Sequence, residues 1–230
     1  MKKKFLVAGV FGVLFIWLAV MLKIVDVQAI GPEGSSVGFA GINKAVFGFF
    51  GEHEFWDKVT DFGAGICISM GLGLAILGLA QIISRKGLGK MDRELWALVG
   101  LYAVMMVFYV AFEKAVINYR PILESDGTLE ASFPSTHTLT SCVLAGSLYL
   151  LIPLYGKGRS NPLHRKLLRA LCVVLMLVVP LGRIFAGMHW LTDVMGGYFL
   201  SFALLFGYAG VLDLIAQKKK ETKKKETKKK

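Results

Sequence analysis

The chain places an arginine, a histidine and an aspartate at spacings of six and four, at Arg183, His189 and Asp193, between two strongly apolar segments. Ionisable side chains beside membrane-type apolar runs are energetically costly and by default indicate a function. Asp193 can accept a hydrogen bond from one ring nitrogen of His189, which leaves the other nitrogen oriented and more nucleophilic. The guanidinium of Arg183 suits the oxygens of a phosphoryl group. These three residues therefore indicate phosphoryl transfer.

A second polar group lies upstream, in the segment EKAVINYRPILESDGTLEASFPSTH at 113–137. Its candidate site residues are Lys114, Arg120, Ser135, Thr136 and His137. The two basic side chains would add positive charge, and a helix that opens after Ser135 offers free N–H groups and a dipole that favour an anion. His137, on a different helix from His189, could protonate a leaving oxygen. Alone, Ser135 would be an ordinary helix N-cap and Lys114 a side chain that reaches lipid headgroups.

The elements that must position these residues are membrane helices. The chain has 230 residues, of which 55% are hydrophobic and 19% charged. A bilayer-spanning helix needs about 20 apolar residues, and six segments qualify: 5–25, 62–84, 95–112, 136–154, 167–187 and 194–216. We therefore expect an all-α, polytopic membrane protein, built as one bundle of six transmembrane helices over residues 1–217.

The distribution of charge predicts the orientation of the bundle. With six spans, the basic segments fall on one side, at 2–4, 84–93, 156–169 and 218–230. The other side receives segments that are acidic or poor in basic residues, at 26–61, 113–135 and 183–193. Lysine and arginine are enriched in cytoplasmic loops, so both termini are expected to be cytoplasmic. The candidate site then faces the exterior of a plasma (inner) membrane.

The net charge of +11 does not indicate a nucleic-acid partner, because nine of the 27 lysines and arginines lie in the final segment 218–230. We expect this segment to be a solvated, disordered cytoplasmic tail beside anionic lipid headgroups. The apolar run from Phe5 to Leu22 is 18 residues long, which favours a retained anchor over a signal peptide. The outer segment 26–61 fits either interfacial amphipathic helices or a loop packed over the bundle.

Three short motifs in order carry a family resemblance. They are Arg120-Pro121, then Pro134-Ser135-Thr136-His137, then Arg183-x5-His189-x3-Asp193. In this order the chain resembles the type 2 phosphatidic acid phosphatase family, which is related to the vanadium haloperoxidases. By motif the resemblance covers roughly residues 114–193, and the layout of six spans extends it to the whole chain.

The resemblance implies a role for each residue that matches a motif. It implies that His189 is the nucleophile, that Asp193 orients it, and that His137 is the general acid. It also implies a phosphate-binding set made of Arg120, Arg183, Ser135 and the backbone amides around Thr136. The hypothesis is an integral-membrane lipid phosphatase that acts through a phosphohistidine, with no metal and no other cofactor.

The chain departs from the family pattern at three positions. Thr136 stands where the family usually has glycine, and Gly182 stands where a serine usually precedes the arginine. The family lysine lies seven residues before the first-motif arginine, a position that Glu113 occupies here, with Lys114 one step closer. One step on a helix turns a side chain by about 100°. Either Lys114 reaches the phosphate by its long stem, or its role is lost or filled elsewhere.

The expected substrate is a lipid phosphomonoester or diphosphate, held with its chains in the bilayer: phosphatidylglycerophosphate, phosphatidate, undecaprenyl diphosphate or lipid A phosphate. Lysine-rich ends and small size favour a bacterial enzyme. A non-catalytic anion-binding transporter is the alternative, but it predicts charges at mid-bilayer depth and discontinuous helices. A metal site has few candidate ligands, since only two of the four histidines and one aspartate are among the candidate site residues. The oligomeric state stays open.

Overall fold

The computed structural model describes residues 1–123, 127–156, 158 and 160–227. Within that part of the chain the architecture is all-α, with two isolated β-bridges and no strand. The helices are α1 (Lys2–Met21), α2 (Ala40–Phe50), α3 (Glu54–Ser84), α4 (Arg93–Lys114), α5 (Thr136–Tyr155), α6 (Pro162–Phe185) and α7 (Leu191–Thr227). Two short 3-10 turns lie at Pro32–Gly34 and Leu88–Lys90.

Six of these helices are long and apolar enough to cross a membrane: α1, α3, α4, α5, α6 and α7. This confirms the fold class and the six spans expected from the sequence. One difference in bounds concerns the candidate site: α3 begins at Glu54 rather than near residue 62. The additional turns contain charged residues, which the hydropathy of the sequence assigned to the preceding loop. They bring two aspartates of α3 to the candidate site.

Helix α5 lies at the centre of the bundle, where it packs against α3, α6 and α7. It is the most buried of the six spanning helices. Helix α1 packs along α7 at the periphery and exposes Leu6, Val13 and Ile16. Apolar side chains on an outer surface are stable in a bilayer, where a helix satisfies its own backbone hydrogen bonds. The bundle therefore has a packed centre and an apolar outer surface that suits contact with lipid.

The ion pairs of the described residues lie at the two ends of the bundle. At one end, Lys4 Nζ lies 2.8 Å from Asp213 Oδ1 and Lys219 Nζ lies 2.8 Å from Glu94 Oε1. These pairs join the first and last helices and tie the last helix to α4. The candidate site lies at the opposite end, where α5 and α7 begin and α6 ends. The spans thus bring the predicted chemistry to a single end of the bundle.

Segment 26–61 contains the helix α2, which packs over the start of α7. Asn43 Nδ2 donates to Thr192 Oγ1 at 2.9 Å, and Thr192 N donates to Asn43 Oδ1 at 3.3 Å. The rings of Phe47 and Trp190 lie 5.6 Å apart. Part of the segment is therefore helical, as the alternative of amphipathic helices predicted. It also packs over the bundle, as the alternative of a packed loop predicted.

The last helix continues into the lysine-rich segment as far as Thr227. This differs from the disordered tail expected over 218–230, of which residues 228–230 lie outside the described residues. Lysine and glutamate are good helix formers, and the ion pair between Lys219 and Glu94 ties the first turn of the segment to the bundle. Net charge alone led to the expectation of disorder.

Candidate active site

His189 lies in the turn between α6 and α7, and its side chain is almost fully buried. Asp193 Oδ2 lies 3.7 Å from His189 Nδ1, which is beyond hydrogen-bond distance. Neither ring nitrogen of His189 has a hydrogen-bond partner within the described residues. The spacing of four therefore brings the two side chains together, although His189 precedes the helix on which Asp193 lies.

The protonation of His189 follows from its surroundings. Burial lowers the pKa of His189 well below 6.5, and the positive charges of Arg183 and Arg120 lower that pKa further. A histidine in this environment is neutral at neutral pH. A neutral imidazole has a lone pair on one ring nitrogen and can act as a nucleophile.

Asp193 is fixed by contacts from three parts of the chain. Its Oδ2 accepts a hydrogen bond of 2.9 Å from the backbone N–H of Trp190, the residue just before α7. An acidic side chain in the first turn that reaches back in this way caps the helix. Asn118 Nδ2 donates to Asp193 Oδ1 at 3.4 Å, and the N–H of Ser135 donates to the Asp193 carbonyl at 3.0 Å. These contacts join the three motif regions.

Ser135 is the N-cap of α5. Its hydroxyl accepts hydrogen bonds from the Thr138 N–H at 3.4 Å and from Thr138 Oγ1 at 3.1 Å. Thr136 is the first residue of the helix and lines a cavity next to Arg120. The beginning of α5 therefore faces the arginine, with the partial positive charge of a helix N-terminus.

Arg183 is 2% exposed, and one nitrogen of its guanidinium contacts three side chains of α3. Nη1 donates to Asp57 Oδ1, and it donates to Thr60 Oγ1 at 3.3 Å. The same nitrogen lies 3.6 Å from Asp61 Oδ1. Asp61 Oδ1 also lies 3.1 Å from His137 Nε2. A carboxylate of α3 therefore joins the arginine to the second histidine.

Arg120 lies at the wall of a cavity of about 450 Å³ between the end of α4 and the start of α5. Its guanidinium is paired with Glu130, with Nη2 2.9 Å from Oε2. Glu113 also lines the cavity. Lys114 is the exposed last residue of α4 and makes no hydrogen bond or ion pair with a described residue. The structure thus places Glu113 beside Arg120 and leaves Lys114 apart from the other predicted site residues.

The structure gives a reason for the glycine that precedes Arg183. A Cβ atom on Gly182 would lie 2.4 Å from Thr60 Cγ2 and 3.3 Å from Trp56 Cε3. Real Cβ atoms do not approach that closely, so α3 and α6 require glycine here. The hydroxyl of Thr60 contacts the guanidinium of Arg183. A hydroxyl from the neighbouring helix α3 therefore lies beside this arginine.

Four polar residues of the site were missed from the sequence: Asp57, Asp61, Asn118 and Glu130. The first two are four residues apart, a spacing that places them on one face of a helix. The sequence contains that signal, but its charged residues lower the local hydropathy and so predict a loop. Asn118 and Glu130 lie in irregular backbone, where no periodicity marks them. Among the described residues, no three histidine, cysteine, aspartate or glutamate side chains are placed to hold a metal ion.

The fold and the site together define a class of protein. It is a multi-pass helical membrane protein with a buried histidine close to two arginines. Comparison with known proteins identifies the family. The sequence profile of the PAP2 superfamily matches residues 95–214, which is more than half of the chain. The chain belongs to the PAP2 superfamily, and the family resemblance seen in its motifs is confirmed.

Two similar proteins come from Bacillus subtilis. Phosphatidylglycerophosphatase B of strain 168 is 33% identical over 79 residues, which are 33% of this chain and 36% of that protein. The match thus spans about a third of the relative's length. The crystal structure of a transmembrane PAP2 type phosphatidylglycerolphosphate phosphatase aligns with a TM-score of 0.62 at 18% identity, over 91% of this chain and 97% of that one. The second similarity shows a shared fold.

Proposed function

We propose that the protein is an integral-membrane lipid phosphatase that acts through a phosphohistidine at His189. The observation that carries the proposal is the state of this side chain, which is buried and has two nitrogens without a partner in the described structure. Buried polar atoms without partners are rare in folded proteins and call for an explanation. The Asp193 carboxylate lies 3.7 Å from Nδ1, and the positive charges of Arg183 and Arg120 are close by. These surroundings suit a nucleophile whose free nitrogen binds a phosphoryl group, which explains the missing partners.

In the first step, His189 Nε2 attacks phosphorus and the bond from phosphorus to the lipid oxygen breaks. His137 gives its proton to the departing oxygen, so the lipid leaves as an alcohol. Asp193 stabilises the ring of His189 as it becomes positively charged, because Nδ1 then donates to the carboxylate. The guanidinium groups of Arg120 and Arg183 and the N-terminus of α5 bind the phosphoryl oxygens.

In the second step, water attacks the phosphohistidine. His137, now neutral, takes a proton from the water, and the bond from phosphorus to Nε2 breaks. Inorganic phosphate leaves, and both histidines return to their initial states. No metal ion or other cofactor takes part in this scheme.

The cavity beside Arg120 supports a glycerol-bearing phosphomonoester as the substrate. Its volume of about 450 Å³ suits a lipid headgroup, and its wall contains the tyrosines Tyr109 and Tyr119 and the carboxylates Glu113 and Glu130. These groups accept hydrogen bonds from hydroxyls, and the carboxylates repel a second phosphate. Phosphatidylglycerophosphate, the substrate in the names of both relatives, has such a headgroup and is the leading candidate among the lipids considered.

The proposed setting is a bacterial plasma membrane, with both termini in the cytoplasm and the site on the outer side. The basic residues at the end of the bundle opposite the site support this orientation. In that position a lipid of the outer leaflet can place its headgroup in the cavity while its chains stay between helices.

The test is release of phosphate from a panel of lipids, in EDTA, by wild type and His189→Ala. We expect hydrolysis of phosphatidylglycerophosphate by the wild type and a loss of at least about 10³-fold in the variant, since a covalent nucleophile has no substitute. His164→Ala is the matched control, because His164 is exposed at the start of α6 and remote from the site. Full turnover by His189→Ala, or loss of activity on adding EDTA, would contradict the mechanism.

A further inference from the structure

The phosphate-binding side chains are already occupied by carboxylates of the protein itself. Asp57 accepts a hydrogen bond from Arg183 Nη1, and Asp61 Oδ1 lies 3.6 Å from that nitrogen. The same oxygen of Asp61 lies 3.1 Å from His137 Nε2. The proposed mechanism needs both the guanidinium and this histidine for the phosphoryl group and the leaving oxygen. The two aspartates therefore stand where substrate oxygens would be bound.

The position of Asp57 and Asp61 on α3 allows their side chains to move away from Arg183. Asp57, Thr60 and Asp61 lie on one face of the helix, within its first turns. The side chain of Asp61 is 60% exposed and that of Asp57 is 34% exposed, whereas their partner Arg183 is buried. Water solvates a separated, exposed carboxylate well. The buried guanidinium of Arg183 still needs an anion, which a phosphoryl group would supply in exchange. The carboxylates can thus move toward solvent, while the arginine stays in place.

The aspartates and a phosphoryl group compete for the same donors. A phosphoryl dianion beside an anchored carboxylate would suffer repulsion between like charges. It would also compete for Arg183 Nη1 and His137 Nε2, which the carboxylates contact, while Arg183 Nε has no partner among the described residues. Binding of the substrate therefore weakens the contacts of both aspartates, and those contacts weaken binding of the substrate.

We propose that Asp57 and Asp61 are displaceable anions that exchange with the substrate's phosphoryl group and return when inorganic phosphate leaves. In the resting protein they neutralise Arg183 and hold His137. After hydrolysis they compete with the product for these groups, which weakens product binding and favours release. The inference rests on the proposed function, in that it takes Arg183 and His137 as the groups that receive the phosphoryl oxygens.

The test is the affinity of the full-length protein in nanodiscs for inorganic phosphate, measured by calorimetry. Asp57→Asn and Asp61→Asn keep the shape of each side chain and remove its charge. We expect the Kd for phosphate to fall about tenfold in Asp57→Asn, whose partner is buried, and about threefold in the more exposed Asp61→Asn. Glu54→Gln removes the same charge from the same helix at a side chain that pairs with Lys58, and should leave the Kd unchanged.

A second readout follows product inhibition. In the hydrolysis assay, inorganic phosphate should inhibit both asparagine variants at lower concentrations than it inhibits wild type. Unchanged or weaker phosphate binding in Asp61→Asn would overturn the inference, and so would a wild type that binds no phosphate. Asp61→Asn decides the question if Asp57→Asn does not fold. The calorimetry needs no lipid, so failure of the proposed function, seen as no hydrolysis of any lipid, is a separate result.

Discussion

The protonation of His189 is the residue-scale property on which the mechanism depends. In solution a histidine is half protonated near pH 6.5, and a protonated ring cannot attack phosphorus. Burial, followed by the charges of the two arginines, lowers the pKa of His189 and keeps the ring neutral. The proposed nucleophile is thus ready to react without first transferring a proton to another residue.

This lowered pKa predicts a pH-dependent stability. As the pH falls below 6.5, His189 gains a proton in the unfolded chain but stays neutral in the folded one, until the pH reaches its lowered pKa. Wild type should therefore lose stability relative to His189→Ala in that window, by at most about 1.4 kcal/mol per pH unit. Thermal unfolding of both proteins in detergent from pH 8 down to about pH 5 measures the effect. A difference that does not vary with pH would show that the pKa of His189 is not lowered.

A second residue-scale feature is the carboxylate at the position of the family lysine. Glu113 lines the cavity beside Arg120, whereas Lys114 is exposed and does not line that cavity. A lysine at 113 would add a positive charge to the cavity, and a second phosphate group would then find a partner there.

We expect Glu113→Lys to shift the preference from lipid monophosphates toward lipid diphosphates. The ratio of kcat/KM for an undecaprenyl diphosphate to that for phosphatidylglycerophosphate should rise about tenfold, which corresponds to one favourable charge contact. Lys114→Ala should change neither value by more than about twofold, because an exposed charge contributes little. A ratio that Glu113→Lys leaves unchanged would show that the cavity does not hold the second phosphate.

The sequence was informative about the site wherever a motif fixes both residue type and spacing. It predicted that Arg183, His189 and Asp193 lie at one end of the bundle, and the structure places them there. It did not identify the partners of those residues, such as Asp57 and Asn118. These partners come from other elements, and the distance between elements cannot be read from a single segment of sequence.

At the scale of elements, the close contact between α3 and α6 positions the arginine. Gly182 has no side chain, which lets Thr60 of α3 approach α6 and place its hydroxyl 3.3 Å from Arg183 Nη1. The glycine and the threonine therefore act as a pair. Together they supply the hydroxyl that a serine at 182 would otherwise provide.

Gly182→Ser should lower stability, because its Cβ would lie 2.4 Å from Thr60 Cγ2. Overpacking of this kind costs about 1–3 kcal/mol. Thr60→Ala removes the clashing methyl and the hydroxyl, so the double variant Thr60→Ala/Gly182→Ser should recover both stability and activity. Unfolding midpoints and phosphate release of the four proteins measure the coupling. Additive losses in the double variant would contradict this pairing.

At the scale of the whole molecule, the two ends of the bundle differ in charge. The end opposite the site contains the chain's lysine-rich segments and its ion pairs between α1, α4 and α7. The positive-inside rule predicts that this end faces the cytoplasm. Hydropathy predicted the six spans, because a bilayer requires long apolar helices. It did not predict the start of α3 or the helical end of α7, because charged helical turns have no hydropathy signal.

The orientation predicts how introduced cysteines react. Lys44→Cys, on the exposed face of α2, should be labelled by a membrane-impermeant maleimide in intact cells. Lys90→Cys, in the turn between α3 and α4, should be labelled only after the cells are opened. The native cysteines Cys67, Cys142 and Cys172 are buried, which limits background labelling. The reverse pattern would place the site in the cytoplasm.

The most direct test of the central claim is to trap the phosphoenzyme. Wild type, His189→Ala and His137→Ala would be mixed rapidly with a lipid that carries a radioactive phosphate, then quenched in alkali. We predict a label on His189 in wild type, which is stable in alkali and lost in acid, as expected of a phosphoramidate. The label should be absent from His189→Ala and should persist longer in His137→Ala, which lacks the base for hydrolysis. A label that persists in His189→Ala, or hydrolysis by the wild type with no label at any time, would contradict the account.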